Sequence, residues 1–239
     1  MAISAKPYLR EISIAGDADI DFDVYPFNIA AVRDMGVVEL HADVTFFVGE
    51  NGAGKSTMLE AIAVAMGLPS EGGSRNVHRE QQDASSLQDC LKLVKSFRKP
   101  AWSYFLRAES LFNVFTYLDD LPPGGGPSKH IRSHGEAFMD VMLEFSAGGL
   151  YLLDEPEAAL SPNRQLAALS AIDQLVKQDC QFIIATHSPI LLSYPNAKIL
   201  QFDGSGMTEV AYEDTEHFAV TRDFLNHYPQ RLKQLLADD

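Results

Sequence analysis

A glycine-rich run at residues 49–57 constrains the fold more than any other feature of this chain. Its first eight residues fit the pattern G-x-x-x-x-G-K-[ST] without a mismatch. The run consists of Gly49, Glu50, Asn51, Gly52, Ala53, Gly54, Lys55, Ser56 and Thr57. Residues 44–48 before it predict a buried strand, and residues 56–66 after it predict a helix that ends at Gly67. A strand, a glycine loop and a helix in this order are typical of a phosphate-binding loop.

The residue types in this run suit a nucleoside triphosphate. Glycines allow backbone N–H groups to point inward around phosphates, and Lys55 supplies a positive charge for the terminal phosphates. The Ser56 hydroxyl is placed to ligate magnesium. We therefore predict ATP and Mg²⁺ as cofactors. The alternative is a glycine turn that caps an ordinary helix, which the preceding strand disfavours.

A pair of carboxylates follows a second apolar stretch. Residues 150–153 predict a strand of a parallel sheet, and Asp154 and Glu155 come directly after it. Ligands gather at the carboxyl ends of such strands. We assign Asp154 to the metal and Glu155 to the general base that activates the attacking water. Alone, the pair could equally be an acidic turn after a core strand.

Three weaker motifs complete a pattern. Ser-His-Gly-Glu occupies residues 133–136, Ala-Leu-Ser-Pro residues 159–162, and Thr-His-Ser-Pro residues 186–189 after an apolar stretch at 182–185. In this order with the phosphate-binding loop and Asp-Glu-Pro, they resemble the ATP-binding-cassette (ABC) ATPases over nearly the whole chain. The resemblance is to the soluble branch, with RecF-like, OLD-like and chromosome-maintenance heads. Within that branch it is to small bacterial AAA-family (AAA_21-like) ATPases that carry Ser-His-Gly-Glu.

The resemblance implies a role for each matching residue. Residues 49–57 would be the Walker A loop, and Asp154 and Glu155 would close Walker B. Ser133, Gly135 and Glu136 would form the signature that binds the nucleotide of a second subunit. His187 would contact the terminal phosphate as a second catalytic residue, and residues 159–161 would lie at the interface of a homodimer with ATP sandwiched between its subunits.

Two motifs depart from the pattern of the ABC ATPases. The usual signature is Leu-Ser-Gly-Gly-Gln, whereas this chain has Arg132 before the serine, His134 after it and Glu136 at the end. No glutamine occupies the expected place after a predicted strand at residues 102–106. Glu109 is the best candidate there, as a charged substitute that ligates magnesium through water.

Two of these residues also have simple structural interpretations. His187 alone, at the end of an apolar strand, would more often be a hydrogen-bonded core histidine. Ser133 could cap a helix whose buried face includes Phe138, Val141, Met142 and Phe145. The order of the motifs favours the functional role of His187, while both roles of Ser133 are compatible.

The predicted fold class is α/β: a P-loop NTPase with a mixed, mainly parallel central sheet and antiparallel N-terminal strands at residues 8–14 and 20–29. We expect a single domain over residues 1–239 with a small helical insert at 69–127. The insert should contain a helix from about residue 85 to 99, with Ser85 and Gln88 as a capping box. Residues 121–127 read as a loop rather than a second nucleotide site. A closing helix is predicted over 218–236.

Composition and charge limit the function classes. The 239 residues are 46% hydrophobic, which is enough for a substantial core. No stretch approaches eighteen apolar residues and the N-terminus lacks the apolar region of a secretion signal, so we expect no membrane span. Cys90 and Cys180 lack metal-binding spacing and read as reduced thiols of a cytoplasmic protein.

The net charge of −14 disfavours nucleic acid as a partner. Between residues 75 and 107 the balance is locally basic, and a helix there would place Lys92, Lys95 and Lys99 on one face. A solvated helix surface is the simpler interpretation, and a docking site for a partner protein is the alternative.

The sequence therefore predicts an ATPase that acts as an ATP-driven dimerisation switch. One rival is a binding module in which ATP gates a partner such as a nuclease, a toxin or a repair protein. Another is the ATPase subunit of a membrane transporter, which the missing glutamine and the altered signature disfavour. A phosphate-loop kinase is less favoured still, since it would not need the signature or His187.

Overall fold

The computed structural model describes residues 6–74, 86–109 and 134–237, with residues 134–137 described by their backbone alone. The strands are β1 (Leu9–Ile14), β2 (Val38–Glu39), β3 (Val44–Val48), β4 (Gly73–Ser74), β5 (Leu91–Lys95), β6 (Trp102–Arg107), β7 (Gly149–Asp154), β8 (Gln181–Ala185), β9 (Lys198–Asp203) and β10 (Gly206–Val210). The helices are α1 (Ala30–Arg33), α2 (Lys55–Ala65), α3 (Leu87–Cys90), α4 (His134–Leu143), α5 (Pro162–Val176), α6 (Pro189–Leu192) and α7 (Glu216–Leu235).

The central sheet has the strand order β10-β9-β3-β8-β7-β6-β4. Its five inner strands, from β9 to β6, are parallel, and β10 and β4 are antiparallel edges. The carboxyl ends of β3, β6, β7 and β8 therefore meet at one edge of the sheet. The predicted mixed, mainly parallel α/β fold is confirmed.

Alternate residues of the central strands face opposite sides of the sheet, as the pleat requires. Phe47, Leu152 and Ile183 pack in one apolar cluster with α2 and β1. Leu153 and Ile184 pack in a second cluster with α4, α5 and α6. Both faces of the sheet are thus covered, which explains why its strands are continuously apolar.

A second, antiparallel sheet of order β2-β1-β5 lies beside α2. The side chain of Gln181, the first residue of β8, connects the two sheets. Its Oε1 accepts hydrogen bonds from the N–H groups of Tyr8 and Leu9 at 2.8 and 3.0 Å, and its Nε2 donates to the carbonyl oxygens of Leu9 and His41. This buried amide is fully satisfied and fixes β1 against the central sheet.

Part of the N-terminal prediction is wrong. The strand at residues 8–14 is confirmed as β1, but residues 20–29 form turns that lead into α1, and β1 pairs with β2 instead. Aspartates alternate through this segment, and Asp21 Oδ1 accepts a hydrogen bond from the N–H of Asp23 at 2.9 Å. Such local bonds compete with strand pairing. The alternation of apolar and polar residues was therefore not sufficient to predict a strand here.

The predicted helix at residues 85–99 is also wrong over most of its length. One turn, α3, gives way to strand β5, which pairs antiparallel with β1. Leu91 and Leu93 pack against the core cluster on that side, so tertiary pairing overrides the helical spacing. The single helical face of Lys92, Lys95 and Lys99 therefore does not exist. Ser85 and residues 121–127 lie outside the described residues, and the domain boundaries remain a prediction.

The closing helix is confirmed as α7. It begins after Thr215, whose hydroxyl accepts the N–H of Phe218, and none of its residues is buried. Within the described ranges, no helix combines the length and apolar character needed to cross a bilayer.

Candidate functional site

The glycine loop lies between β3 and α2, at the carboxyl edge of the central sheet. Gly49 and Gly54 have φ angles of 143° and 96°, in the region that favours glycine. A Cβ atom on Gly49 would collide with the carbonyl oxygen of Phe202, and one on Gly54 would lie 2.8 Å from Ile29 Cγ2. Both glycines are therefore required for the loop to take this shape.

The ammonium group of Lys55 is held inside the loop. Lys55 is buried, and its Nζ donates hydrogen bonds to the carbonyl oxygens of Gly49 and Glu50 at 2.8 and 2.9 Å. Burial lowers the pKa of Lys55, while the charges of Glu155 and Asp154 act in the opposite direction. The cation is thus held within the loop, close to carboxylates that balance its charge.

The loop and the acidic strand end meet through one hydrogen bond. Ser56 Oγ, at the start of α2, donates to Asp154 Oδ1 at 2.9 Å, across 98 residues of sequence. Asp154 is buried, and burial raises its pKa to about 6. The bond from Ser56 and the charge of Arg107 oppose this shift, while Glu155 and Glu109 add to it. Two of the three residues predicted to hold the metal therefore lie side by side.

Arg107 belongs to this group, although it was not predicted. It ends β6 directly opposite Asp154 of β7, and its Nε lies 3.5 Å from Asp154 Oδ2. Its Nη1 donates to Glu60 Oε2 at 2.8 Å. Ser56 and Arg107 therefore contact different oxygens of the Asp154 carboxylate. Only the strand order reveals this residue, since nothing in the local sequence pairs Arg107 with Asp154.

The backbone of Glu155 itself is strained. Its φ and ψ angles are 49° and 52°, a left-handed conformation that is uncommon for residues other than glycine, asparagine and aspartate. Its N–H donates to the carbonyl oxygen of Ala185 at 2.9 Å, which holds the turn in place. Its side chain is partly exposed, and Oε1 lies 3.6 Å from His187 Nε2. Such strain at a strand end is frequent at functional sites.

Glu157 organises the turn after β8 and was also missed. Its carboxylate accepts hydrogen bonds from Thr186 Oγ1 at 2.6 Å and from the backbone N–H of His187. Burial raises the pKa of Glu157, and these hydrogen bonds oppose the shift. The Asp-Glu-Pro-Glu turn thus fixes the position of His187. The sequence contained the residue, but no spacing rule links it to residues 186–187.

His187 has one paired and one unpaired ring nitrogen. Its Nδ1 lies 2.9 Å from Nε2 of His217, in the first turn of α7. Its Nε2 is buried and has no hydrogen-bond partner in the part of the chain that the structure describes. Burial lowers the pKa of His187, and the nearby charge of Lys55 lowers it further, while Glu155 opposes both.

An open cleft of about 530 Å³ extends from the loop. Residues 28–30 and 201–204 form two of its sides, and the loop residues 49–53 form another. Glu216 and His217 close it from α7.

The remaining predicted residues are only partly described. Ser133 lies outside the described residues, and Gly135 and Glu136 lie in the first turn of α4, where only the backbone is described. Glu109 is exposed just after β6, and its charge raises the pKa of Asp154. Ala159 ends a 3-10 turn (Pro156–Ala159), and Ser161 immediately precedes α5. No cluster of three or more metal-binding side chains occurs among the described residues.

The residues present fit a magnesium–nucleotide complex. Magnesium at phosphoryl-transfer sites takes one or two protein oxygens and completes its shell with phosphates and water. The adjacent oxygens of Ser56 and Asp154 supply such a pair. Lys55 supplies a buried cation, and the buried Nε2 of His187 has no hydrogen-bond partner among the residues that the structure describes.

Comparison with known proteins gives one family match. A family described as "AAA domain" matches residues 16–102, which include the glycine loop. No curated protein matches the sequence.

The solved structures that are similar to this chain at low identity include the following three. The SMC head domain from Thermotoga maritima is 14% identical, with 84% of this chain and 98% of that chain covered and a TM-score of 0.45. An inward-facing metal-chelate type ABC transporter is 18% identical, with 77% and 79% covered and a TM-score of 0.40. The cbiO1 protein from Clostridium perfringens, part of the ABC transporter complex cbiONQ, is 13% identical, with 84% and 90% covered and a TM-score of 0.42.

Proposed function

We propose that this chain is a P-loop ATPase that binds ATP with Mg²⁺ and hydrolyses it. The observation that carries the proposal is the hydrogen bond from Ser56 Oγ to Asp154 Oδ1. It joins the glycine loop to the acidic strand end, so a phosphate-binding element and a metal-binding carboxylate share one site. The AAA-domain match over the loop supports the same class.

The residues of the site divide into binding and chemical roles. Lys55 and the backbone N–H groups of the loop bind the phosphates, and Ser56 and Asp154 hold the metal. Glu109 joins the metal shell through water. Magnesium, when bound, neutralises phosphate charge and polarises the terminal phosphoryl group.

Glu155 is the general base in this proposal. Its carboxylate is more exposed than that of Asp154 and lies near His187, so it can accept a proton from water at the mouth of the site. His187 Nε2 donates a hydrogen bond to the terminal phosphate. Glu157 and Arg107 hold His187 and Asp154 in position.

The biological output proposed is a dimerisation switch. Ser133, Gly135 and Glu136 of a second subunit would complete the site, so two ATP molecules would join two subunits and hydrolysis would separate them. A helix N-terminus with small residues is suited to bind phosphate, which supports a signature at the start of α4.

Two measurements on the purified chain test the proposed function. Calorimetry should detect ATP binding that strengthens with Mg²⁺, and a phosphate-release assay should detect turnover that requires Mg²⁺. Lack of ATP binding under both conditions would contradict the proposal. A Lys177→Ala variant serves as a surface control, because that lysine is exposed and forms an ion pair with Asp173, one helical turn away.

A second candidate is an ATP-gated binding module whose turnover resets a contact with a partner. The observation in its favour is α7, which has no buried residue and exposes Val220, Leu225 and Leu235. If ATP gates such a contact, ATP should change the rate of amide hydrogen exchange along the whole of α7. A change confined to its first turn and the loop would favour the simple switch.

A further inference from the structure

A second histidine contacts the histidine predicted to bind phosphate. His217 lies in the first turn of α7, and its Nε2 is 2.9 Å from Nδ1 of His187. The planes of the two rings are inclined by 56°, and their centroids are 5.1 Å apart. The two rings therefore approach each other through the edges that carry these nitrogens. Thr215 caps the helix and is itself buried, which fixes the turn that carries His217.

The surroundings favour the neutral form of both rings. Burial lowers the pKa of His187, and Lys55 lowers it further against the opposing charge of Glu155. Burial also lowers the pKa of His217, helped by His187 and Lys55 and opposed by Glu216 and Glu157. A neutral imidazole has one N–H donor and one bare acceptor nitrogen. The hydrogen bond between the rings therefore determines which nitrogen of His187 carries the proton.

The two possible arrangements differ in what His187 offers to a ligand. If His217 donates from Nε2, then His187 Nδ1 accepts and His187 carries its proton on Nε2. In the reverse arrangement, His187 Nε2 presents a lone pair. A phosphate oxygen only accepts hydrogen bonds, so it is attracted by the first arrangement and repelled by the second. The nearby Oε1 of Glu155, 3.6 Å from Nε2, is likewise an acceptor and favours the first.

We propose that His217 is a positioning residue that donates Nε2–H to His187 Nδ1 and thereby holds the proton of His187 on Nε2, directed toward the terminal phosphate. This inference rests on the proposed function for its phosphate ligand. It also makes the first turn of α7 part of the nucleotide site, through a residue distant in sequence from every motif. The buried Nε2 of His187, which forms no hydrogen bond with any described residue, is the atom that the ligand would satisfy.

The tautomer is measurable without nucleotide. In the chain labelled with ¹⁵N-histidine, the chemical shifts of the two His187 ring nitrogens distinguish a hydrogen-bearing from a bare nitrogen, with assignment by a His187→Gln variant. At pH 8, the parent should show a bare Nδ1 and a hydrogen-bearing Nε2. His217→Leu should lose that preference, whereas His217→Gln, which retains an N–H donor, should keep it. His227→Leu is the matched control, since His227 is an exposed histidine on the same helix.

Hydrolysis kinetics provide the second test. His217→Leu should lower kcat about tenfold, as expected when one hydrogen bond to a charged transition state is lost, and should change KM by less than about twofold. His217→Gln should recover most of kcat, and His227→Leu should match the parent.

The outcomes separate the two proposals. A His187 proton on Nδ1 in the parent overturns the positioning role, whatever the turnover. Equal loss of kcat in the leucine and glutamine variants also overturns it. The expected tautomer in a parent that neither binds nor hydrolyses ATP overturns the proposed function and leaves the role of His217 in setting the tautomer standing.

Discussion

Asp154→Asn should make the nucleotide-free protein more stable while weakening its response to magnesium. Burial raises the pKa of Asp154 from 3.8 to about 6, so keeping the carboxylate ionised in the folded state costs up to about 3 kcal/mol above pH 6. Because the folded-state pKa is the higher one, the folded protein binds the proton more tightly than the unfolded chain. Stability therefore falls as the pH rises from about 4 to about 6.

The substitution removes the free-energy cost of ionising Asp154 in the folded state, and it keeps only some of the contacts that the side chain makes. The amide oxygen of asparagine still accepts the Ser56 hydroxyl, whereas the 3.5 Å contact between Arg107 Nε and the carboxylate is lost. We expect a net gain of about 1 to 2 kcal/mol at pH 7.5. For a domain of this size, that raises Tm by about 3 to 6 °C.

Thermal unfolding followed by circular dichroism, at pH 7.5 and pH 5 without nucleotide, measures this gain. The gain should shrink by about 1.4 kcal/mol at pH 5 and nearly vanish, because protonation there has already relieved about half of the ionisation cost. With ATP and Mg²⁺, the parent should gain stability and the variant should gain much less. The control is Asp173→Asn, since the hydrogen bond from Lys177 lowers the pKa of that exposed carboxylate. An Asp154→Asn Tm at or below the parent's at pH 7.5, or a gain that grows toward pH 5, would refute the reasoning.

Two further substitutions probe the phosphate and metal contacts. Lys55→Ala should weaken ATP affinity by roughly 10- to 150-fold, because a charge-assisted contact is worth about 1.5 to 3 kcal/mol; unchanged affinity by calorimetry would remove Lys55 from the site. Glu109→Gln should keep the fold but shift the Mg²⁺ optimum of hydrolysis, since the charge of Glu109 raises the pKa of Asp154. A Mg²⁺ titration that matches the parent's would assign Glu109 a structural role only.

The central part of the fold was predictable because its signals are local. Strands β3, β7 and β8 are short apolar runs, and each is followed directly by a polar motif. Continuous apolarity is the consequence of burial on both faces of a parallel sheet. The convergence of Ser56 and Asp154 followed from the rule that ligands gather at the carboxyl ends of such strands.

The peripheral sheet was less predictable because its pairing is not local. Residues 91–95 contain apolar side chains that suit either a helix or a half-buried strand. The availability of β1 as an antiparallel partner decides in favour of the strand, and that partner lies about 80 residues away, from Leu9–Ile14 to Leu91–Lys95. At residues 20–29, local bonds decide against the predicted strand. A hydrogen bond between two aspartates stabilises a turn there instead.

The residues missed at the site act through contacts that only the folded chain creates. Arg107 reaches Asp154 because β6 and β7 are neighbours, and His217 reaches His187 because α7 returns to the loop. Neither belongs to a motif. Glu157 is different, since it directly follows the Asp-Glu-Pro string, and its acidity beside a polar turn could have been noted.

The most direct measurement of the central claim compares phosphate release and oligomeric state in the parent and in Glu155→Gln. Glutamine keeps the size of the side chain but removes its basicity, so the variant should bind ATP with Mg²⁺ and lose turnover by about a hundredfold or more. Light scattering should then show an ATP-dependent dimer, which an added Ser133→Arg should abolish without abolishing ATP binding. A Glu155→Gln protein that hydrolyses ATP at the parent rate, or stays monomeric with saturating ATP and Mg²⁺, would contradict the account.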